Sequence, residues 1–176
     1  PDPVVVDLCT GSGAIALAVA DEVPGAVVHA VELAPEAHAW AERNVVAAGR
    51  PVDLRRGDAT TAFDDLLGTV DVVVSNPPYI PDGAVPVDPE VRDHDPEVAL
   101  YGRSADGLAV PLAVAARAAV LLRPGGRLVM EHADVQGETL PRALAATGEW
   151  AEVADHPDLS GRPRATTAVR VRSSGG

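Results

Sequence analysis

VVVDLCTGSGAIA, residues 4–16, changes character twice. Three consecutive valines suit a strand buried on both faces, where β-branched side chains pack well. Gly11 and Gly13 end that pattern and let the backbone turn tightly. The run from Ala14 to Val23 then reads as a helix, with Ile15, Val19 and Val23 on one face. Strand, glycine turn and helix in immediate succession open a βαβ unit.

The same alternation continues outward. AVVHAVEL (26–33) reads as a second strand. Pro35 suits a helix's first turn, Ala37, Ala41 and Val45 share a face, and Gly49 ends that helix. A short strand from Val52 to Arg55 follows, then a brief helical piece around Thr61 to Leu67, then a valine-rich strand at Val70. Leu108, Leu112, Ala115, Ala119 and Leu122 fit one helix face, with Pro111 confined to its first turn. Pro124-Gly125-Gly126 reads as a turn, RLVMEHA (127–133) as a strand, and a helix lies between Val135 and Thr147. Strands near Trp150–Ala154 and Ala165–Arg172 close the pattern. Residues 80–106 lack periodicity, and a loop of that length implies a lid, a binding loop or disorder. The expectation is an α/β domain over residues 1–172, doubly wound around a parallel sheet, with 173–176 a disordered tail. Such sheets bind ligands beyond the carboxyl ends of their strands.

Composition narrows the chemistry. A chain of 176 residues can bury a proper core, and with only 3% aromatic residues that core must be Val, Leu, Ile and Ala. No apolar run approaches the roughly 20 residues that span a bilayer, and no basic-then-apolar leader is present. One cysteine, Cys9, forbids an internal disulfide and fits a cytoplasmic setting. All 14 basic residues are arginine. The absence of lysine excludes a Walker-type phosphate loop and Schiff-base catalysis. A net charge of −12 weighs against nucleic acid as the main partner. Pro1 stands where no initiator methionine precedes it, which reads as the interior of a longer protein.

The strand ends carry polar groups. After the first come Asp7, Thr10, Gly11, Ser12 and Gly13, at the start of a helix whose N-terminus favours polar or anionic ligand groups. Gly11, Gly13 and Ala16 also satisfy the dinucleotide fingerprint, but Asp7 would repel a pyrophosphate and suit a cation. Glu32, after the second strand, is placed to take both hydroxyls of a ribose. After the third, Asp58 can accept from an adenine amino group while the Ala59 amide donates to its ring. Three carboxylates at successive strand ends match S-adenosylmethionine, a sulfonium without phosphates, better than NAD or ATP. After the fourth strand comes SNPPYI (75–80). Asn76 offers a side-chain carbonyl, and Pro77 a carbonyl with no N–H beside it. Two such acceptors can hold both hydrogens of a planar NH₂ group, with Pro78 stiffening the turn and Tyr79 stacking on that plane. His29, His38, His94, His132 and His156 show no metal-ligand spacing. Trp40, Trp150 and Met130 read as packing, and Arg162 and Arg164 as either solvated or closing over the site.

DLCTGSG followed by Glu32 resembles the class I S-adenosylmethionine-dependent methyltransferases. SNPPYI, EVRDHDPEVAL (90–100), SADGL (104–108), LLRPGGRLVMEH (121–132), HADVQGE (132–138) and DLSGR (158–162) resemble their HemK/PrmC branch, the peptide chain release factor N5-glutamine methyltransferases. The resemblance implies a seven-stranded Rossmann-like sheet with its last strand antiparallel. It implies S-adenosylmethionine as cofactor, S-adenosylhomocysteine as product, and the glutamine of a release factor's Gly-Gly-Gln motif as acceptor. Asn76, Pro77, Pro78 and Tyr79 would then meet the glutamine amide. Asp7, Thr10, Gly11, Ser12, Gly13, Glu32, Leu33, Asp58, Ala59 and Asn76 would surround the cofactor. The family's amino-terminal substrate-recognition domain is absent from the chain. Cys9 stands where the family often has glycine, a change expected to matter little. The NPPY turn is shared with enzymes that methylate adenine or guanine in nucleic acid, so that acceptor, or a ribosomal-protein glutamine, is the alternative. A dinucleotide-binding oxidoreductase and a non-catalytic cofactor-binding domain are the readings from other classes.

Overall fold

Val5, Val6, Asp7 and Leu8 lie in register with Val72, Val73, Val74 and Ser75 on one side, and with Val28 to Val31 on the other. The opening valines therefore form the centre of a sheet, which is why they are apolar on both faces. The computed structural model describes residues 2–83 and 100–172. In chain order these form β1 (Val4–Leu8), α1 (Ala14–Glu22), β2 (Val27–Glu32), α2 (Pro35–Ala48), β3 (Val52–Arg56), β4 (Val70–Ser75), α3 (Ala109–Leu121), β5 (Leu122–Glu131), α4 (Thr139–Ala146), β6 (Trp150–Pro157) and β7 (Pro163–Arg170). Single 3₁₀ turns cover Asp64–Leu66 and Asp134–Gln136.

The seven strands run in the order β3-β2-β1-β4-β5-β7-β6. β1 to β5 pair in parallel, while β7 is antiparallel to both β5 and β6. β3 and β6 are the two edges. The order reverses between β1 and β4, and that switch point is where such sheets bind ligands.

Alternation along β2 divides the interior. Val31 joins a cluster with Leu8, Val73, Leu121, Leu128, Met130, Leu140 and Leu144, whereas Val28 and Ala30 join Ala16. Successive strand residues point to opposite faces, so the two clusters cover the two sides of the sheet. Burying each of the larger side chains contributes about 1.5–3 kcal/mol.

Several expectations change on contact with this packing. In α1 the buried residue is Ala16, while Ile15 and Val23 are exposed. The helix lies close enough to the sheet that alanine faces inward and the larger residues face out. Pro124-Gly125-Gly126 does not separate helix from strand, because β5 already begins at Leu122 and the register against β4 shifts between Val70 and Val72. Proline and glycine are tolerated there as part of a bulge. Trp150 is buried, but Trp40 is 58% exposed, with the Arg43 guanidinium 4.9 Å from its ring centroid. The expected tail at 173–176 and most of EVRDHDPEVAL, His94 included, lie outside the described residues.

Candidate active site

The carboxyl ends of β1, β2, β3 and β4 bring the sequence-derived residues to one rim, and hydrogen bonds tie successive ends together. The Thr10 N–H donates to the Val31 carbonyl (3.0 Å), the Gly57 N–H to the Glu32 carbonyl (2.9 Å), and Ser75 Oγ to the Leu8 carbonyl (2.6 Å).

Asp7 is fully buried at the end of β1. Its Oδ2 accepts from Thr10 Oγ1 at 2.5 Å and from the Ala16 N–H at 3.1 Å. Ala16 lies in the first turn of α1, so Asp7 satisfies one of the N–H groups that a helix start leaves unpaired. That role suits a helix whose own N-cap, Gly13, has no side chain to offer. The other oxygen, Oδ1, is buried without a hydrogen-bond partner among the described residues. Burial pushes the carboxyl from 3.8 up to about 6, the Thr10 and Ala16 bonds pull the other way, and the Glu32 charge adds to the rise.

Glu32, the last residue of β2, does more than wait for a ligand. Its Oε2 accepts from the Gly11 N–H at 2.9 Å and its Oε1 from the Ala34 N–H at 2.8 Å. It thus pins the glycine turn to the end of β2. Each carboxylate oxygen keeps a second lone pair for an incoming hydroxyl. Asn44 Nδ2 holds the Ser12 carbonyl at 2.9 Å, fixing the turn from α2. Leu33 is half-exposed just beyond Glu32. Gly13 sits at φ 83° with the Ala41 Cβ 3.6 Å from where a side chain would start. Cys9 adopts φ 64° in the same turn. A left-handed backbone costs a non-glycine residue about 1–2 kcal/mol, so the turn holds Cys9 in a strained conformation. The Cys9 thiol is pushed from 9.0 up to about 12, chiefly by burial and then by the Glu32 charge.

Asp58 is exposed after β3, its Oδ1 bonded to the Thr60 hydroxyl (2.7 Å) and N–H (2.8 Å). Those bonds lower its pKa and keep it ionised. Ala59 beside it is buried.

Asn76 follows β4 directly, next to the end of β1. It is exposed, and its side chain makes no hydrogen bond to another described residue. Pro77 is buried, and Tyr79 is half-buried with its hydroxyl 3.4 Å from Glu131 Oε1. Burial first, then the Glu131 charge, raise the phenol above its usual 10.0. Beyond the turn, the Ile80 N–H donates to the Leu100 carbonyl (2.8 Å) and the Gly102 N–H to the Ile80 carbonyl (2.9 Å). Arg164 also interacts with Tyr79, and Arg162 stays exposed on the Asp158–Arg162 hairpin. Among the described residues no group of His, Cys, Asp and Glu is arranged to hold a metal. A hollow of about 390 Å³ lies at the amino ends of β2 and β3, lined by Ala26, Val28 and Val52, and contains none of these residues.

One residue that contacts the turn after β4 was not singled out from the sequence. Gln136, in the 3₁₀ turn after β5, is 2% exposed and bonded to the Tyr79 carbonyl. No spacing signals it. It lies within HADVQGE (132–138), one of the segments that carry the resemblance, but nothing in that stretch marks its side chain for this contact.

A family model described as the methyltransferase small domain matches residues 2–88. The release factor glutamine methyltransferase of Streptomyces coelicolor is 56% identical, over 97% of this chain and 60% of that protein. Over nearly its whole length the chain is similar to release factor glutamine methyltransferases. A 4-amino-L-phenylalanine/4-methylamino-L-phenylalanine methyltransferase of Streptomyces pristinaespiralis is 44% identical, over 96% of this chain and 56% of that protein. The crystal structure of a methyltransferase from Pyrococcus furiosus superposes with a TM-score of 0.70 at 19% identity, over 97% of this chain and 76% of that one. That likeness extends to the fold, the class I methyltransferase sheet with its reversed β7. The chain spans about 60% of the length of the release factor glutamine methyltransferase it matches at 56% identity. No helix among the described residues is long and apolar enough to cross a membrane.

Proposed function

We propose that the chain carries the methyl-transfer site of an enzyme that methylates the side-chain amide nitrogen of glutamine in the Gly-Gly-Gln motif of peptide chain release factors. The observation that carries this reading is the placement of the Asn76-Pro77 turn beside the buried, half-unsatisfied Asp7. Ser75 and Leu8 are paired strand neighbours, so a flat nitrogen held at the turn lies next to the rim that would hold a methyl donor.

The residues present fit S-adenosylmethionine. When bound, it supplies a methyl carbon made electrophilic by its sulfonium. A buried carboxylate oxygen with no partner is costly, and a cationic ligand group would satisfy Asp7 Oδ1. Glu32 has lone pairs left for ribose hydroxyls. Asp58 and Ala59 would meet the adenine edge, and Leu33 its apolar face. Thr10, Gly11, Ser12 and Gly13 form the turn against which the rest would lie.

An amide nitrogen is a poor nucleophile, because its lone pair is delocalised into the carbonyl. Asn76 and Pro77 would answer this by accepting both N–H hydrogens, which returns electron density to nitrogen and stabilises positive charge as it develops. Tyr79 would pack on the amide plane. Fixed acceptors of this kind are worth on the order of 10²-fold or more in rate each, with alignment adding to that. The surplus proton leaves to water afterwards, so no strong base is required.

A release factor acceptor rests on the 56% identical relative so named. The 44% identical relative, named for an aromatic amine substrate, supports a second reading in which the same turn grips the NH₂ of a small arylamine. Methyl transfer from labelled S-adenosylmethionine separates these. The acceptors are a release factor, its Gly-Gly-Gln variant with glutamine changed to alanine, 4-aminophenylalanine and duplex DNA. Label on the release factor, and none on the alanine variant, is expected. Label on the amine or the DNA alone overturns the reading.

A further inference from the structure

Asn76-Pro77-Pro78-Tyr79 has an anchoring problem. Pro77 and Pro78 have no N–H, so the segment between Ser75 in the sheet and the Ile80 bridge to Tyr101 has few backbone donors of its own. What holds it is a side chain. Gln136 Nε2 donates one hydrogen to the Tyr79 carbonyl at 2.9 Å and the other to the Asp106 carbonyl at 2.8 Å, while its Oε1 accepts from the Ala133 N–H at 3.0 Å. Both donors and the acceptor of the amide are engaged in a site closed to water, where such bonds are strongest and their loss most costly. The packing leaves no slack. Gly107 sits at φ 73°, and a Cβ there would lie 2.1 Å from the Tyr79 carbonyl oxygen and 2.9 Å from Gln136 Nε2.

Resting on the proposed role of Asn76 and Pro77, we infer that Gln136 is a positioning residue for methyl transfer. It locks the turn after β4 to the end of β5 and to the segment before α3, and so sets where the two acceptors stand. It touches no substrate. It acts through the Tyr79 carbonyl, two residues beyond Pro77. A displacement of about 1 Å at a reacting group is enough to cost on the order of 10²-fold in rate.

Gln136→Glu keeps the side chain's size but removes both donors and sets a carboxylate against two carbonyls. Gln136→Met keeps length and packing without hydrogen bonds. Each variant is assayed for kcat and KM with the release factor, and for cofactor affinity and stoichiometry by calorimetry. The expected result is kcat down 10- to 100-fold, KM changed less than 3-fold, and cofactor binding at wild-type affinity and stoichiometry. A loss of stoichiometry parallel to the loss of kcat in both variants would mean a purely structural role and overturn the inference. Wild-type kcat in either would overturn it too. Asn76→Ala runs alongside. Should that variant turn over normally, the assignment of the turn has failed and the role of Gln136 falls with it. Should only the Gln136 variants turn over normally, this inference alone has failed.

Discussion

Asp7→Asn isolates the cost of keeping a charge inside the protein. The substitution preserves shape and leaves an oxygen for Thr10 and Ala16, but removes the ionisable group. At 1.36 kcal/mol per unit, the rise of the Asp7 carboxyl from 3.8 to about 6 amounts to about 3 kcal/mol. The folded state holds this proton more tightly than the unfolded chain does. The contribution to stability is therefore complete below about pH 4, declines as pH rises towards 6, and is gone above that. The variant carries no such dependence. It should be more stable than the parent at pH 7.5 by up to about 3 kcal/mol, and the gap should close below pH 4. Urea unfolding followed by circular dichroism at pH 4, 5, 6 and 7.5 measures it. Subtracting the two profiles cancels the carboxylates with lowered pKa values, such as Asp58 and Asp71, which act at lower pH and in the opposite direction. The same variant should bind S-adenosylmethionine roughly 10- to 100-fold more weakly, the worth of a hydrogen bond to a charged group. A stability gap that ignores pH, or an Asp7→Asn variant less stable than the parent at pH 7.5, would refute the burial argument. Undiminished cofactor affinity would refute the idea that Oδ1 awaits a cation.

Asn76→Ala should lower kcat on the order of 10²-fold or more while leaving cofactor affinity within 3-fold, as steady-state kinetics and calorimetry will show. Gly107→Ala combines a left-handed backbone with a close approach to the Tyr79 carbonyl; it should destabilise the fold by about 2–4 kcal/mol in denaturant titrations. Cys9, with its thiol at about 12 instead of 9.0, holds roughly 10³-fold less thiolate than an ordinary cysteine at pH 8. Iodoacetamide should therefore label the folded protein far more slowly than the urea-unfolded chain, and equal rates would contradict the assignment.

The sheet was legible in the sequence because its central strands β1, β2 and β4 are valine-rich runs, each with a turn signal after it. Positions on the rim were legible for the same reason: a residue just after a strand must sit there. What sequence could not supply was distance between segments far apart in the chain. Glu32 stands 21 residues from Gly11 yet bonds its N–H, and Gln136 stands 57 from Tyr79 yet holds its carbonyl. Neither contact follows from composition or periodicity. The inward face of α1 was not legible, because side-chain size alone points Ile15 and Val23 inward, whereas close helix–sheet approach selects Ala16. The left-handed conformation of Cys9 was not legible either, because only φ shows it.

The two borders of the sheet have a consequence for how the protein behaves when crowded. β3 presents Asp53, Arg55 and Arg56, with Arg55 forked between Asp53 and Asp65. β6 carries Glu152 at φ 50°, inside an interruption of its register between Ala151 and Ala154. Charges on one border and a kink on the other both deny a neighbouring molecule the flat row of unpaired amides on which strands stack. A valine-rich sheet with seven strands is the kind of surface that seeds fibrils when its margins are bare. Here both margins carry the features that make an edge a poor template for strand addition.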